Sequence, residues 1–308
     1  MIVCNGLDAV ERVERALALG SFDGVHLGHQ QVIGRALAGA HQLGVRASVA
    51  TFEPHPMTVL RPELAPRELG TPQRQVELVE ETGADELVLI RFDHAFSQLT
   101  PDQFAEQVLA AALRARHVVV GANFRYGHKA AGSPESLATA GERLAFTVET
   151  VPLFEVAGSP VSSSRIRDLI AAGEVARAAQ LLGRPAWLEG EVIHGDGRGR
   201  GLGFPTANLR PAHRAAPPGI GIYAGVAHLD GRALPAAVSV GFNPTFSDNR
   251  ETLRIEAHLL DFDGDLYGRR LRVDLTQRLR GELKFGSVDE LVAQVNRDID
   301  AVRALAAR

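Results

Sequence analysis

The chain has 308 residues, of which 45% are hydrophobic and 23% charged, as in a globular protein large enough for two domains. A formal net charge of −4 argues against a surface that binds nucleic acid or an anionic membrane. The single cysteine, Cys4, excludes an internal disulfide framework and a multi-cysteine metal site. Lysine occurs only at Lys129 and Lys284, outside any G-x-x-x-x-G-K-[ST] motif, which excludes a P-loop for ATP.

No stretch of the sequence has the length and apolarity of a transmembrane helix, which needs about 20 residues. The segment Met1–Asp8 lacks the basic and apolar regions of a secretory signal. We therefore expect a cytoplasmic protein with no membrane partner and no nucleic-acid partner. An oligomer is compatible with this composition.

The first half of the sequence alternates short apolar runs with helical patterns. The predicted helices are His29–Leu43, Pro72–Glu81 and Pro101–Leu113. The predicted strands are Ala16–Leu19, Ala47–Phe52, Glu86–Ile90, His117–Val120 and Phe146–Val151. Strands separated by helices of this length predict βαβ units and a parallel, Rossmann-like sheet. Ligands bind at the carboxyl ends of such strands, so the loops after Leu19, Phe52 and Val120 are candidate sites.

The pattern changes after a helical stretch, Ser163–Leu182, which we expect to break at Gly173 and to end at Gly183. Five strand-like runs follow without intervening helices: Trp187–Ile193, Ile222–Leu229, Leu234–Val240, Leu253–Phe262 and Leu271–Leu279. Consecutive strands of this kind predict a small antiparallel barrel or sandwich. Val288–Ala307 has helical spacing and is expected to pack on it. The domain boundary is placed near Gly183.

The loop between the first strand and the first helix carries a candidate phosphate site. Gly24 and Gly28 allow the backbone to approach a ligand closely. The helix N-terminus supplies free N–H groups and partial positive charge. His26 and His29, three residues apart, can both donate hydrogen bonds to phosphate oxygens. A two-histidine metal site and a simple capped turn are the alternatives, although the sequence offers no HExxH or cysteine partners for zinc.

This His-x-Gly-His element resembles the nucleotidyltransferase superfamily. Three later segments, Thr51–Pro56, Gly121–Gly127 and Ser162–Arg167, extend the resemblance to the N-terminal module of bacterial bifunctional riboflavin kinase/FAD synthetases. The resemblance implies that His26, His29 and Arg165 act on the ATP phosphates and the transition state. It implies nucleotide-binding roles for Ser21, Phe22, Asp23, Gly24, Gly28, Asn123, Ser162, Ser163 and Ser164.

Glycine and arginine are concentrated in Gly195–Asn208. Pro205 closes this loop and no helical pattern follows it, which argues against a dinucleotide-binding fingerprint. A solvated hairpin end and a flap around ATP phosphates are both compatible with the composition. Thr206 and Asn208 alternate along an extended chain and therefore face the same side. Their neutral oxygens suit a Mg²⁺ ion that is held mostly by phosphate and water.

Pro205–Asn208, with the glycines before it, resembles the riboflavin kinase signature. Supporting segments follow at Pro218–Ala224, Gly241–Phe246 and Glu256–Phe262. The resemblance implies a six-stranded kinase barrel in which Glu256 is the base on the riboflavin 5′-hydroxyl. The alternative for Glu256 is a solvent-facing strand residue. The flap residues assigned to nucleotide binding are Gly197, Gly199, Gly201, Gly203, Phe204 and Pro205.

An acidic segment, Asp261–Asp265, has some likeness to a calcium loop. The sixth position of the loop is Leu266, where an EF-hand requires Gly. We expect a β-turn there.

Together these features predict an α/β nucleotidyltransferase domain at 1–183, followed by a riboflavin kinase domain at 184–308 with a C-terminal helix. The expected substrates are riboflavin, FMN and ATP with Mg²⁺, and the expected products are FMN and then FAD. Ser21 stands where the family commonly has Asn, Ser164 where Thr is usual and Ser133 where Asp is expected. All three departures fall in the adenylyl-transfer half.

Other functions stay open at this point. The N-terminal domain could be degenerate or adenylylate another phosphate acceptor. A flavin-binding regulator without catalysis is a second alternative, but Thr206, Asn208 and Glu256 argue against it because binding alone needs no base. A nucleic-acid-binding protein is a third, opposed by the net charge.

Overall fold

A computed structural model describes residues 1–195, 197–212, 214–244 and 251–307. Its contacts divide the chain into two compact units. The first contains residues 1–67 and 72–163, and the second contains 68–71 and 164–308. Among the described residues, no helix is both long and apolar enough to cross a membrane.

The first unit is built on a six-stranded sheet in which every pair of neighbours is parallel, in the order β1-β4-β3-β2-β5-β6. Its strands are β1 Ile2–Asn5, β2 Arg15–Leu19, β3 Arg46–Glu53, β4 Glu86–Arg91, β5 Ala115–Gly121 and β6 Thr147–Val151. β2 pairs with β3 on one side and with β5 on the other. The strand order therefore reverses at β2, and ligands of such sheets bind at the carboxyl ends of the strands on either side of this point, here β2 and β5.

Five helices accompany this sheet: α1 Leu27–Leu43, α2 Pro56–Leu60, α3 Pro72–Glu80, α4 Pro101–Gln103 and α5 Pro134–Leu144. The short α4 continues as a π-helical segment over Phe104–Ala112. Thr100 caps α4 reciprocally with Gln103, and Ser133 caps α5. A short hairpin, β7 Glu155–Val156 and β8 Ser159–Pro160, completes the unit.

A buried ion pair joins the amino ends of the central strands. Arg15 and Glu86 have no solvent-exposed side-chain surface, and Arg15 Nε donates to Glu86 Oε2 over 2.6 Å. Ser48 and Arg46 also donate to this carboxylate, at 2.8 and 3.1 Å. Burial disfavours the ionised form, but the hydrogen bonds from Arg15 and Ser48 outweigh it and lower the pKa of Glu86. The pair lies at the opposite end of the sheet from these carboxyl ends.

The second unit is a closed antiparallel barrel with helices before, within and after it in sequence. The barrel order is β10-β13-β12-β11-β14-β9. Its strands are β9 Ala186–Ile193, β10 Ala207–Pro211, β11 Gly221–Leu229, β12 Arg232–Pro244, β13 Glu251–Leu259 and β14 Arg270–Arg280. Its helices are α6 Ser163–Ala171, α7 Val175–Leu182, α8 Arg198–Gly201 and α9 Val288–Ala306. Val302 of α9 packs in an apolar cluster with Ala224 of the barrel.

The predicted fold is confirmed: a parallel α/β sheet precedes a six-stranded antiparallel barrel with a C-terminal helix. The predicted break at Gly173 separates α6 from α7, and Gly173 has a φ of 78°. β1 and β10 are strands that the hydrophobic pattern did not predict. Thr245 and Phe246 of the predicted Gly241–Phe246 segment, and Asp196 of the glycine loop, lie outside the described residues.

Candidate active sites

The loop from β2 to α1 has an unusual backbone. Phe22, Gly24 and Val25 have φ values of 46°, 75° and 39°. Two of them are not glycine, so their left-handed conformations are strained and must be held by packing. Phe22 is 1% exposed and Val25 is fully buried, which provides that packing. The loop is therefore a rigid feature at the carboxyl end of β2.

His26 occupies the N-cap of α1. Its Nδ1 accepts a hydrogen bond from the backbone N–H of His29 over 3.3 Å. An imidazole that accepts at Nδ1 carries its hydrogen on Nε2, so neutral His26 has a donor at Nε2. Gly28 permits this arrangement, because a Cβ on it would come within 3.3 Å of the His26 ring.

The two histidine rings are stacked, with centroids 3.5 Å apart and an interplanar angle of 18°. Among the described residues, the buried Nδ1 of His29 has no hydrogen-bond partner. Burial, followed by the neighbouring His26, holds the pKa of His29 well below its ordinary value. His29 is therefore neutral near pH 7 and presents a dipole to a ligand.

Side chains from later segments fix the same loop by its carbonyl groups. Thr51, at the end of β3, donates to the Ser21 carbonyl over 3.0 Å, and Gln75 of α3 donates to the same oxygen at 3.0 Å. Ser163 donates to the Asp23 carbonyl, also over 3.0 Å. The structure thus joins the predicted segments around Ser21, Thr51 and Ser163.

The remaining predicted residues of this half have the following positions. Asn123 is exposed in the turn directly after β5, where the Phe124 N–H bonds the Gly121 carbonyl over 2.9 Å. Ser162 and Ser163 are the last two residues of the first unit. Ser164 and Arg165 belong to the second unit, in the first turn of α6.

Aromatic rings extend along the carboxyl edge of β3, β4 and β5, a feature that the sequence analysis missed. Phe52 and Phe92 make an edge contact at 5.9 Å between centroids, and both contact Phe96. Phe124 and Tyr126 stack at 5.7 Å with an angle of 13°. The spacing of these residues has no period, and only their placement at successive strand ends could have indicated the cluster.

In the second unit, two glycines allow the loop before β10 to lie on the strand. A Cβ at Gly195 would be 2.2 Å from Asn208 Nδ2, and one at Gly199 would be 2.4 Å from the Phe204 carbonyl oxygen. The Gly199 carbonyl accepts a 2.8 Å hydrogen bond from the Phe204 N–H. The other predicted flap residues are in the same loop: Gly197 and Gly203 with φ values of 70° and 87°, Gly201 at the end of α8, and Pro205.

Glu256 lies at the centre of the barrel site. It is opposite Asn208 in the β10–β13 pairing and opposite Ser239 in the β12–β13 pairing. Its Oε1 accepts hydrogen bonds from Thr206 Oγ1 at 3.5 Å and from Arg254 Nη2 at 2.5 Å. Its side chain is 23% exposed, so a ligand can reach the carboxylate.

Two cavities meet at Thr206. One, of about 450 Å³, contains Glu256 and Arg254, with an apolar wall from Leu283, Phe285, Leu291 and Val295. The other, of about 610 Å³, is lined by Pro205, Ala207, Leu259 and the turn from Phe262 to Tyr267. Thr206 lines both.

The oxygen donors of Thr206 and Asn208 suit Mg²⁺ better than a metal whose ligands all come from the protein. No cluster of three or more His, Cys, Asp or Glu side chains that could hold a metal exists in the described parts of the chain. Thr206 offers a neutral hydroxyl 3.5 Å from Glu256 Oε1. Asn208 offers an amide on β10, directly opposite Glu256 in the strand pairing. Oxygen donors of this kind fit an ion that keeps phosphate and water ligands.

Comparison with known proteins agrees with this architecture. The FAD synthetase family model matches residues 9–165, and the riboflavin kinase model matches residues 182–306. A protein of Listeria monocytogenes named bifunctional riboflavin kinase/FMN adenylyltransferase is 39% identical over 96% of this chain and 94% of its own length. A Pseudomonas fluorescens protein of the same name is 38% identical over 94% and 92%.

A crystal structure described as a macrolide-efflux protein from Streptococcus pneumoniae has a similar fold. The TM-score is 0.89 at 31% identity, and the match covers 98% of this chain and 99% of the other.

The parallel sheet, the barrel and the two family models define the class of this protein: a two-domain transferase with an FAD synthetase domain before a riboflavin kinase domain. The chain belongs to the family of bifunctional riboflavin kinase/FMN adenylyltransferases, and it is an enzyme.

Proposed function

We propose that the domain at residues 184–308 phosphorylates riboflavin to FMN, and that the domain at residues 1–183 then joins FMN to the AMP portion of a second ATP. The single observation that carries the kinase half is Glu256 facing a cavity that adjoins a second cavity at Thr206. Phosphoryl transfer needs two substrates in line, and two adjoining cavities meet that need.

In the kinase step, Glu256 accepts the proton of the riboflavin 5′-hydroxyl. The hydroxyl oxygen forms a bond to the γ-phosphorus of ATP while the bond to the β–γ bridging oxygen breaks, giving FMN and ADP. A base of this kind contributes about 10²–10⁴-fold in rate. The apolar wall of the 450 Å³ cavity fits the flat isoalloxazine ring, and the 610 Å³ cavity is left for ATP.

Thr206 and Asn208 are the residues that would hold Mg²⁺ beside the ATP phosphates. When bound, the ion supplies positive charge that compensates the negative charge of the phosphates. The glycine loop contributes backbone N–H groups, and Gly195 and Gly199 let it lie directly against the segment from Phe204 to Asn208.

In the adenylyl-transfer step, a phosphate oxygen of FMN attacks the α-phosphorus of ATP and pyrophosphate leaves. His26 Nε2–H, the start of α1 and neutral His29 are the groups that would donate hydrogen bonds to this phosphate. We assign Arg165 to the triphosphate charge, and Asn123 to the flavin–nucleotide pocket. Phe52, Phe92 and Phe96 provide flat apolar surfaces for the isoalloxazine ring at the same end of the sheet.

The proposal includes only small-molecule partners: riboflavin, FMN and ATP. A cytoplasmic location and the absence of nucleic-acid and membrane partners remain predictions.

A time course with riboflavin, ATP and Mg²⁺, resolved by chromatography, tests the proposed order. FMN is expected first and FAD after it. Glu256→Gln should lower the rate of FMN formation by about 10²–10⁴-fold and leave the conversion of supplied FMN to FAD intact. Loss of both activities in a folded Glu256→Gln protein would contradict the assignment of one reaction to each domain.

A further inference from the structure

Arg254 is the positive group in contact with the proposed base. It lies two residues before Glu256 on β13, and the alternation of a strand puts both side chains on one face. Both line the 450 Å³ cavity, and their side chains are 22% and 23% exposed. Neither the glycine-loop signature nor the Glu256 segment includes Arg254.

The two hydrogen bonds to the Glu256 carboxylate are unevenly distributed. Arg254 Nη2 and Thr206 Oγ1 both donate to Oε1, at 2.5 and 3.5 Å. Within the described ranges, no hydrogen bond reaches Oε2. A carboxylate held through one oxygen keeps the other available as a base, with its direction fixed by the charge-assisted bond.

Arg254 is one of two arginines that line this cavity in the described part of the chain. The other arginine of the cavity, Arg280, is engaged with Asp298 through both of its carboxylate oxygens. Of the two arginines, Arg254 is the one that donates a hydrogen bond to Glu256.

We propose that Arg254 is a positioning residue for the kinase reaction: it holds Glu256 by Oε1 so that Oε2 accepts the proton of the riboflavin 5′-hydroxyl. This inference rests on the proposed role of Glu256. It assigns Arg254 no contact with substrate, which separates it from a group that binds the transferred phosphate.

A double-mutant cycle with Arg254→Gln and Glu256→Gln tests the proposal, with steady-state kinase parameters measured for the full chain. Arg254→Gln should lower kcat by about 10–100-fold, the usual cost of losing a group that orients a reactive one, with both KM values within about twofold. Arg254→Lys keeps the charge and one donor and should recover part of kcat. The double variant should be no slower than Glu256→Gln alone.

Arg232→Gln serves as the matched control, because Arg232 is exposed at the start of β12. It should keep kinase activity, and every variant should convert supplied FMN to FAD at the normal rate. If the two single losses in kcat added up in the double variant, Arg254 would act independently of Glu256, for example on the transferred phosphate. That result would overturn the positioning role. A higher KM with normal kcat in Arg254→Gln would show that Arg254 only lines the cavity, and would also overturn the positioning role.

The roles of Glu256 and Arg254 are distinguished by separate outcomes. Full kinase activity in Glu256→Gln would overturn the base itself, and the positioning role with it. Normal kinase activity in Arg254→Gln, together with a strongly reduced rate in Glu256→Gln, would overturn the positioning role alone.

Discussion

The ring of His29 stacks on the ring of His26, and the backbone N–H of His29 bonds to His26 Nδ1. One histidine thus both caps the helix and sets the environment of the other. Burial, followed by the neighbouring His26, disfavours a proton on His29, so His29 offers a phosphate a neutral ring.

His26→Asn separates the cap from the chemistry. Asn is a good N-cap, so α1 should keep its start, whereas a change to Ala costs about 1 kcal/mol of helix stability. Asn lacks the reach of the imidazole Nε2–H. We expect FAD formation from supplied FMN to fall by about 10²–10³-fold, as when one transition-state donor is removed. Kinase activity should be unchanged, and a normal FAD rate would remove His26 from the reaction.

Gly195→Ala should impair the kinase through Asn208. The new Cβ would be 2.2 Å from the Asn208 amide nitrogen, so the proposed metal ligand must move. We expect a higher KM for ATP with Mg²⁺ and a lower kcat in the kinase assay. Gly201→Ala, which has open space around its Cβ, should lose clearly less activity. Equal losses in the two variants would show that loop mobility, and not Asn208, is what the glycine preserves.

Asp298→Ala should loosen α9 from the barrel. Arg280 donates to both oxygens of Asp298 at 2.7–3.2 Å, and Gln294 donates at 2.9 Å. Breaking a buried pair costs about 3–5 kcal/mol, and this pair, with Arg280 18% exposed, should cost about 2 kcal/mol.

The KM for riboflavin should rise as well, because Leu291 and Val295 of the same helix form the cavity wall. Urea unfolding and kinase assays check both effects. Asp300→Asn, a change on the exposed side of α9, should stay within about 0.5 kcal/mol. An Asp298→Ala protein with unchanged stability and a normal KM would show that the Arg280–Asp298 ion pair does not hold α9 on the barrel.

Glu86 should make the first unit sensitive to acid. Its pKa is below the ordinary 4.5 in the folded chain, so the unfolded chain binds more protons between the two values. The stabilisation is therefore complete above about pH 4.5 and is lost as the pH falls through the folded pKa. Unfolding followed by circular dichroism from pH 7 to 3 measures this loss.

Glu86→Gln removes that pH dependence and leaves Arg15 buried without its charge partner. We expect about 3–5 kcal/mol of destabilisation at pH 7. Glu142→Gln, an exposed change on α5, is the control and should leave the curve unaltered. An acid transition that persists unchanged in Glu86→Gln would assign it to other carboxylates.

Elements with a strong hydrophobic period, or with a residue typical of a turn, could be predicted from the sequence. Elements that form only by pairing with a distant strand could not. The break at Gly173 follows from its left-handed backbone. β1 was missed because Ile2 and Val3 are exposed and only Cys4 is buried, so the strand exists through its pairing with β4. The π-helical form of Phe104–Ala112 likewise leaves no mark in the spacing of apolar residues.

The candidate sites divide in the same way. Short motifs, such as the His26–His29 element and the Pro205–Asn208 segment with its preceding glycines, can be recognised directly in the sequence. The alternation of β13 puts Arg254 and Glu256 on one face, but only the folded structure shows their hydrogen bond. The Ser163–Asp23 bond joins residues 140 positions apart. Contacts of this kind are products of the folded chain.

Thr206 borders both barrel cavities, so the two substrates proposed for them would share one small side chain as a common wall. A change in its volume or polarity cannot be confined to one of them. Resistance to a competitive inhibitor of either cavity, if it arose at position 206, would carry a penalty for the natural occupant of the other. Inhibitors that contact Thr206 from either side should therefore be the hardest to escape by mutation.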